Sequence, residues 1–252
     1  MVTKQNIFDR NLWQKNCLRY RGLFSDYSFI YSQVATNILE NIEIQNVNFA
    51  KVLEINAKDD FFKNYFSNSK YSSIDFNEIV DENNFNFGKQ KFDLVISILD
   101  LHFINDVKNF LAKIYESLQP NGYFIASFFG DENLPELRKS IYLAEEKIYN
   151  AISPRMPPTI DIKTSAQILG QVGFKNPIAD LEKIVINYQN PINLLYDLKN
   201  MGLGNIMINR SKKFFTKKLL NQLLENYQLF FNESTNSFDA TFNIITISGQ
   251  KK

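Results

Sequence analysis

Glycine, cysteine and histidine are all scarce in this chain. Of its 252 residues, 9 are glycine, one is cysteine and one is histidine, whereas glycine alone usually contributes about 7%. The single cysteine, Cys17, excludes an internal disulfide framework and favours a reducing compartment. Cys17 is either an inert, buried thiol or a nucleophile, and the absence of a histidine near it in sequence favours the first.

Neither sign of charge dominates, and long apolar runs are missing. The 28 basic and 27 acidic side chains leave a formal net charge of +1, which argues against a nucleic-acid binder. The longest apolar run, residues 92–104, is interrupted by Asp100 and is shorter than the ~20 residues of a membrane-spanning helix. The first residues contain no apolar stretch typical of a signal peptide. We therefore expect a cytoplasmic protein with no membrane span and no nucleic-acid partner.

The first quarter of the chain is predicted to be helical and then to enter a sheet. Apolar residues recur at helical spacing over residues 8–40, and residues 50–55 form a short apolar strand. A turn follows this strand, and a helix begins near Asp59 and Asp60, whose carboxylates suit a helix N-terminus.

The middle of the chain alternates between strand and helix. Residues 91–99 are the strongest strand, a β-branched apolar run with polar flanks. Residues 105–118 follow as a helix with Asn105 as its predicted N-cap, the "QPNG" turn ends that helix, and another strand covers residues 123–130. This alternation predicts a parallel sheet covered by helices. A later helix ends at Gly173, which suits the C′ position.

Several segments in a fixed order give the chain a resemblance to a known family. They are "FDR" (Phe8 to Arg10), "KFDLVISILDLHFIND" (Lys91 to Asp106), the stretch from Leu118 to Glu145, "SPRMPP" (Ser153 to Pro158), "ILGQVGF" (Ile168 to Phe174) and "LLYDLKNMGLGN" (Leu194 to Asn205). Together they resemble the class I S-adenosylmethionine-dependent methyltransferases. Within that class the similarity is to the branch containing the carboxyl methyltransferase of biotin synthesis and the mitochondrial complex I assembly factor that modifies an arginine.

The resemblance implies an α/β, Rossmann-like methyltransferase fold. Its central sheet would be mostly parallel with an antiparallel C-terminal strand, and helices would cover both faces. Residues 1–45 would form an N-terminal helical segment and residues 46–252 a methyltransferase-like domain. Residues 134–172 and 190–230 would add a helical cap over the pocket.

The loop after the first strand departs from the family pattern. In the family this strand ends in an acidic residue and continues into Gly-x-Gly-x-Gly. Here Glu54 keeps the acidic position, while Asn56, Lys58 and Asp60 occupy the glycine positions. Asn56 tolerates left-handed backbone angles, but Lys58 fills the space for the cofactor unless it turns outward or pairs with the cofactor carboxylate. Asp60 adds negative charge near that carboxylate.

The other cofactor positions are kept in part. The resemblance assigns Asp75 to the cofactor ribose and Asp81 to the adenine. Few residues separate them, too few for a crossover helix, so Asp75 could be an ordinary turn residue. Ser97 and Ile98 lie at the carboxyl end of the next strand, where open α/β sheets bind their ligands.

Asp100 and His102 are the catalytic candidates. His102 is a proton acceptor or a polar wall of the substrate pocket, or else an imidazole packed at the start of a loop. The Asn/Asp-Pro-Pro-Tyr/Phe motif of methyltransferases that act on adenine or glutamine nitrogens is missing. In the family, Arg138 and Arg155 lie on segments that cover the pocket, where they would hold an acidic substrate or form surface salt bridges. No zinc-type spacing and no P-loop are present, so we expect neither a metal nor nucleotide hydrolysis.

Two hypotheses for function remain open. One is an active S-adenosylmethionine-dependent enzyme with a protein or carrier-bound substrate. The other is a non-catalytic relative that keeps the fold as a protein-binding or assembly module. The substituted glycines and the shortened crossover both weaken the cofactor pocket, which slightly favours the second. An NAD-dependent oxidoreductase is disfavoured because Gly-x-Gly-x-x-Gly is absent.

Overall fold

A computed structural model describes residues 6–20, 22, 24–75, 79, 85–211 and 215–252. They form an α/β fold with one mixed, mostly parallel sheet and helices on both of its faces. The strands are β1 (Lys51–Ile55), β2 (Lys70–Ile74), β3 (Phe92–Ile98), β4 (Leu118–Phe129), β5 (Lys175–Tyr188), β6 (Phe231–Asn232) and β7 (Ser237–Gln250). The helices are α1 (Arg10–Tyr20), α2 (Phe24–Tyr27), α3 (Phe29–Ile44), α4 (Phe61–Tyr65), α5 (Val107–Ser117), α6 (Pro135–Tyr149), α7 (Ile162–Val172), α8 (Pro191–Asn200) and α9 (Lys217–Tyr227).

The strand order confirms the predicted fold class. The strands lie in the order β2-β1-β3-β4-β7-β5, and β6 pairs with β7. The pairs β1–β2, β1–β3 and β3–β4 are parallel, whereas β7, the C-terminal strand, runs antiparallel to β4. A sheet of this kind brings the carboxyl ends of β1, β2 and β3 to one edge, where α/β folds place their ligand crevice.

The central strands are buried on both faces because helices cover both sides of the sheet. All residues from Val52 to Ile55 in β1 and from Leu94 to Ile98 in β3 are buried. The predicted strand over residues 91–99 is therefore confirmed in place and in character. Between β2 and β3, the part of residues 75–91 that the structure describes contains no strand.

Helix ends follow capping chemistry, with one correction to the prediction. Asn105 is not the N-cap of α5: Asp106 is, and its carboxylate accepts a hydrogen bond from the Asn109 N–H at 3.2 Å. An ionised Asp also complements the positive end of the helix dipole. Gly173 is confirmed as the residue that ends α7, with a left-handed φ of 109°.

The "QPNG" segment behaves differently from the turn predicted between helix and strand. β4 starts at Leu118, immediately after α5, and includes these residues. Phe92 pairs with Leu118, but Leu94 pairs with Tyr123, so the register shifts between the two pairs. Asn121 has a φ of 63° within this irregular stretch. The turn residues thus form a bulge inside the strand.

The chain divides into two compact units. The first contains the described residues of Met1–Tyr27, Glu132–Thr159 and Lys183–Asn243, and within it α6 packs on α9. The second contains Ser28–Asp131, Ile160–Glu182 and Ile244–Lys252, including β1 to β4 and helices α3, α4, α5 and α7. The predicted domain limits and the helical cap stay predictions. No helix among the described residues is long and apolar enough to cross a membrane.

Candidate cofactor site

Glu54 lies buried at the carboxyl end of β1, with only 1% of its surface exposed. Its Oε1 accepts a hydrogen bond from the Tyr31 hydroxyl of α3 at 3.1 Å, and its Oε2 accepts one from the Tyr71 hydroxyl of β2 at 2.6 Å. Burial raises the pKa of Glu54 to about 7, although both hydrogen bonds act in the opposite direction. Each oxygen of this carboxylate is thus engaged by a side chain of the same unit.

The two tyrosines keep their protons and act as donors. Burial, reinforced by the charge of Glu54, raises the pKa of both Tyr31 and Tyr71 above the usual value for tyrosine. In the parallel register Glu54 pairs with Ser73, so Tyr71, two residues earlier in β2, lies on the same face of the sheet. Sequence reasoning did not identify either tyrosine. Tyr31 carries a signal, because it lies on an otherwise apolar buried helix face and a buried phenol needs a partner.

The first substituted glycine position is occupied by a residue that adopts a glycine-like backbone. Asn56 has a φ of 60°, which is the left-handed conformation that Asn tolerates. Its N–H donates to the carbonyl of Ile74 at 2.7 Å, and its side-chain Nδ2 donates to Oδ1 of Asp100 at 2.7 Å. The turn after β1 therefore keeps its shape without glycine, and it is tied to both neighbouring strand ends.

Lys58, at the second glycine position, extends toward the end of β3. Its Nζ lies 3.0 Å from Oδ1 of Asp100, the same oxygen that Asn56 contacts. The side chain of Lys58 is 20% exposed and that of Asp100 is 1% exposed. A charge-assisted hydrogen bond with one buried partner is stronger than a surface ion pair. We call the contact between Asn56, Lys58 and Asp100 the loop clasp.

The two aspartates after Lys58 serve the start of α4. The carboxylate of Asp59 accepts a hydrogen bond from the Phe61 N–H at 3.0 Å. Asp60 is the N-cap residue by position, but its side chain makes no capping hydrogen bond and pairs with Lys63 at 3.1 Å instead. Of the two predicted capping carboxylates, the first bonds to the backbone and the second to a side chain.

His102 lies in a short 3-10 turn, Leu101–Phe103, directly after the loop clasp. Its ring centre is 4.1 Å from that of Phe103 and 4.9 Å from that of Phe129. Neither ring nitrogen has a hydrogen-bond partner among the described residues. Burial, aided by the charge of Lys58, lowers the pKa of His102 to about 3. The imidazole is therefore neutral and contacts two aromatic rings, and a catalytic role for His102 stays a prediction.

The remaining predicted cofactor residues differ in what surrounds them. Ser97 and Ile98 are buried at the end of β3, and the hydroxyl of Ser97 has no hydrogen-bond partner within the described part of the chain. Leu99 then adopts a φ of 54° and directs the chain into Asp100. Asp75 directly follows β2, beside the turn at Asn56. Asp81 lies outside the described residues.

The two candidate substrate arginines belong to the other compact unit. Arg155 forms a salt bridge with Glu145 of α6 at 2.8 Å. Glu145 is fully buried and also accepts hydrogen bonds from the backbone and the hydroxyl of Ser153. Arg138 donates to the hydroxyl of Tyr142, one helical turn further along α6, at 3.3 Å. Arg155 thus ties the "SPRMPP" segment, residues 153–158, to α6, while a substrate role for either arginine stays a prediction.

Comparison with known proteins agrees with this architecture. Residues 38–126 match the family described as "Methyltransferase domain". The human protein named arginine-hydroxylase NDUFAF5, mitochondrial, is 28% identical over 98% of this chain and 77% of its own length. The protein of that name from Dictyostelium discoideum is 39% identical over 64% of this chain, but the match spans only 37% of that relative.

A bacterial relative and a solved structure extend the comparison. A Rickettsia prowazekii protein, provisionally named a methyltransferase, is 33% identical over 73% of this chain and 88% of its own length. The fold resembles the 1,6-didemethyltoxoflavin-N1-methyltransferase of Burkholderia thailandensis, solved with S-adenosylhomocysteine. That likeness has a TM-score of 0.50 and 11% identity, and it covers 99% of this chain and 93% of the other. The chain therefore belongs to the class I S-adenosylmethionine-dependent methyltransferase superfamily, in the branch that contains NDUFAF5.

Proposed function

We propose that this protein serves in the assembly of respiratory complex I by binding a protein partner, and that it does not bind S-adenosylmethionine in its folded resting state. The loop clasp carries this proposal. The ammonium group of Lys58 lies 3.0 Å from the buried carboxylate of Asp100, at the edge of the sheet where relatives of this fold place their cofactor. The side chain of Lys58 thus occupies a polar contact at the edge of the sheet where a cofactor would bind.

The residues at the former glycine positions do not fit a bound S-adenosylmethionine in this arrangement. The methionine part of the cofactor carries a carboxylate and an ammonium group, which need donors and acceptors at this loop. Asp100 already accepts from both Asn56 and Lys58, and Glu54 accepts from two tyrosines. Cofactor binding would first have to break the loop clasp.

The assembly role rests on the resemblance and on the relatives. The chain matches the human NDUFAF5 over 98% of its length, so the similarity extends well beyond the cofactor half. A protein-binding role would depend on the segments between Leu118 and Asn205, which keep the family pattern. It would not depend on the loop after β1, which departs from that pattern. For the compartment, the single cysteine favours a reducing environment, and we propose the cytoplasm.

The test of cofactor binding is thermal unfolding of the full chain with S-adenosylmethionine and with S-adenosylhomocysteine. A ligand at 100 times its dissociation constant stabilises a protein by about 2.7 kcal/mol. For a chain of this size, 1 kcal/mol raises the melting temperature by about 2–4 °C. We expect no shift for the wild type at about 1 mM ligand. A shift of several degrees would refute the closed site.

Variants of the clasp sharpen this test. Lys58→Gly removes the side chain from the loop, and Lys63→Gly is the matched control because Lys63 lies nearby in an exposed pair with Asp60. A ligand-induced shift that Lys58→Gly alone creates would attribute the closure to Lys58. Wild-type binding that Lys58→Gly strengthens would favour an active methyltransferase or a related arginine-modifying enzyme.

The assembly role is tested separately in the cells from which the gene comes. After deletion of the gene, we expect the amount of assembled complex I on a native gel to fall, and the wild-type chain to restore it. Unchanged complex I in the deleted cells would refute the assembly role, whatever the ligand measurements show.

A further inference from the structure

We infer that the outer edge of β5 is the surface through which two copies of this chain associate, with the two edges paired as antiparallel strands. β5 is the last strand of the sheet, and no strand among the described residues pairs with its outer edge. A strand in this position presents backbone N–H and C=O groups to which another strand can bind. We call the part of β5 from Lys183 to Asn187 the open edge.

The residues that discourage strand pairing are confined to the first part of β5. Natural edge strands carry proline or charged side chains, which oppose pairing with another chain. The proline and the charged residues of β5 are Lys175, Pro177, Asp180, Glu182 and Lys183. Residues 184–188 contain neither, and they begin with three β-branched residues, of which Val185 is 46% exposed. This part of the edge is therefore suited to pairing with a second strand.

The sequence of the open edge is nearly the same in both directions. It reads Lys-Ile-Val-Ile-Asn, with Val185 at its centre. In an antiparallel pair about a two-fold axis at Val185, this valine faces its counterpart, and Ile184 faces Ile186 of the other copy. Cross-strand pairs of β-branched residues stabilise a sheet. A two-fold contact between identical chains requires this self-complementarity, so a second copy fits the open edge.

The polar ends of the open edge are complementary in the same register. The exposed Lys183 of one copy faces Asn187 of the other. The side chain of Asn187 donates to Oδ1 of Asp239 at 2.6 Å, and that of Asn232 donates to Oδ2 at 3.0 Å. No cation among the described residues pairs with Asp239. The facing lysine would supply one.

Repulsion between the two copies of Lys183 is small in this register. The two lysines are offset by four strand positions, or about 14 Å at ~3.4 Å per residue. This separation exceeds the Debye length of about 8 Å at physiological salt. The register thus brings each lysine toward a carboxylate and keeps the two lysines apart.

This inference does not rest on the proposed function, because none of its residues belongs to the loop clasp. Its test is sedimentation velocity of the full chain. One short strand pair is a small interface, so we expect a monomer–dimer equilibrium with a dissociation constant on the order of 10 μM. A chain that stays monomeric up to about 200 μM, well above that value, would overturn the inference.

Charged substitutions at the two-fold position test the register. Val185→Lys places two like charges face to face and should weaken the dimer at least about tenfold, as should Val185→Glu. An equimolar mixture of the two variants should restore the dimer, because lysine then faces glutamate. This recovery requires position 185 of one copy to face position 185 of the other. A mixture that stays as monomeric as its components would overturn the assignment.

Ile178→Lys is the matched control. Ile178 also lies in β5 and is 57% exposed, but in this register no residue of the other β5 faces it. The control should therefore dimerise as the wild type does. All three substituted side chains replace exposed ones, so the variants should fold, and their melting temperatures check this. Equal weakening by Ile178→Lys and Val185→Lys, or a dimer that neither weakens, would refute the open edge as the contact.

Discussion

Replacement of Glu54 by glutamine should remove a large pH dependence from the stability of the protein. Glu54 is buried, and its pKa in the folded protein is about 7 against an ordinary value of 4.5. The folded state therefore holds this proton more tightly than the unfolded state does. The resulting stability is fully present below about pH 4.5 and is lost as the pH rises through about 7. Glutamine keeps the shape and accepts hydrogen bonds, but it does not ionise.

The size of the effect follows from the pKa difference. One pKa unit corresponds to about 1.4 kcal/mol, so ionising Glu54 in the folded protein costs about 3 kcal/mol. Most of this cost, about 2.5 kcal/mol, develops between about pH 5 and pH 8. Urea unfolding at the two pH values should show the wild type losing that much stability relative to Glu54→Gln. Other titrating groups are common to both proteins and cancel in the comparison.

Two measurements would expose an error in this reasoning. The ¹³C chemical shift of the Glu54 carboxyl group should titrate near pH 7, and a midpoint near 4.5 would show that the two tyrosine hydrogen bonds fully offset the effect of burial. Glu43→Gln serves as the control, because it removes an exposed carboxylate from the same unit. If Glu54→Gln and Glu43→Gln changed the pH dependence equally, the account of a buried carboxylate would be refuted.

Two further predictions concern His102 and Gly173. Burial lowers the pKa of His102 to about 3, so its contribution to stability is present above about pH 6.5 and is lost as the pH falls. In urea unfolding, the stability of His102→Phe relative to wild type should therefore rise by about 2 kcal/mol between about pH 8 and pH 5. A stability difference that stays constant with pH would contradict this. Gly173→Ala should lower the stability by about 1–2 kcal/mol, because a φ of 109° strains any residue that has a Cβ. Steric contact is not the cause, since the Cβ of an alanine here would lie 3.7 Å from its nearest neighbour, a ring atom of Tyr115. An unchanged melting temperature would refute this prediction.

The fold could be predicted from the sequence wherever local chemistry and periodicity agreed. The β-branched run at residues 91–99 became β3, and Gly173 ended its helix as predicted. Boundaries failed where tertiary pairing decided them. The "QPNG" residues have turn chemistry, but pairing of Leu118 with Phe92 draws them into β4 as a bulge.

The site was predictable in its backbone and not in its side-chain contacts. The left-handed angle of Asn56 followed from the residue type, since Asn tolerates that conformation. The direction of Lys58 depends on Asp100, which lies 42 residues later in the chain. Likewise, the partners of Glu54 come from a helix before it and a strand after it. Contacts of this kind arise from topology, which sequence spacing does not encode.

The loop clasp has a consequence for how the cell controls this protein. An enzyme that binds a metabolite is stabilised in proportion to the logarithm of the metabolite concentration, so its folded population follows supply. In this protein the cation that pairs with Asp100 is the ammonium group of Lys58, which belongs to the chain itself. Its local concentration therefore does not change with the supply of any metabolite. If the chain does not bind S-adenosylmethionine, as we propose, starvation for the methyl donor would leave the half-life of the protein unchanged. Under the same proposal, its abundance would be set by synthesis and by the proposed partner, independently of one-carbon metabolism.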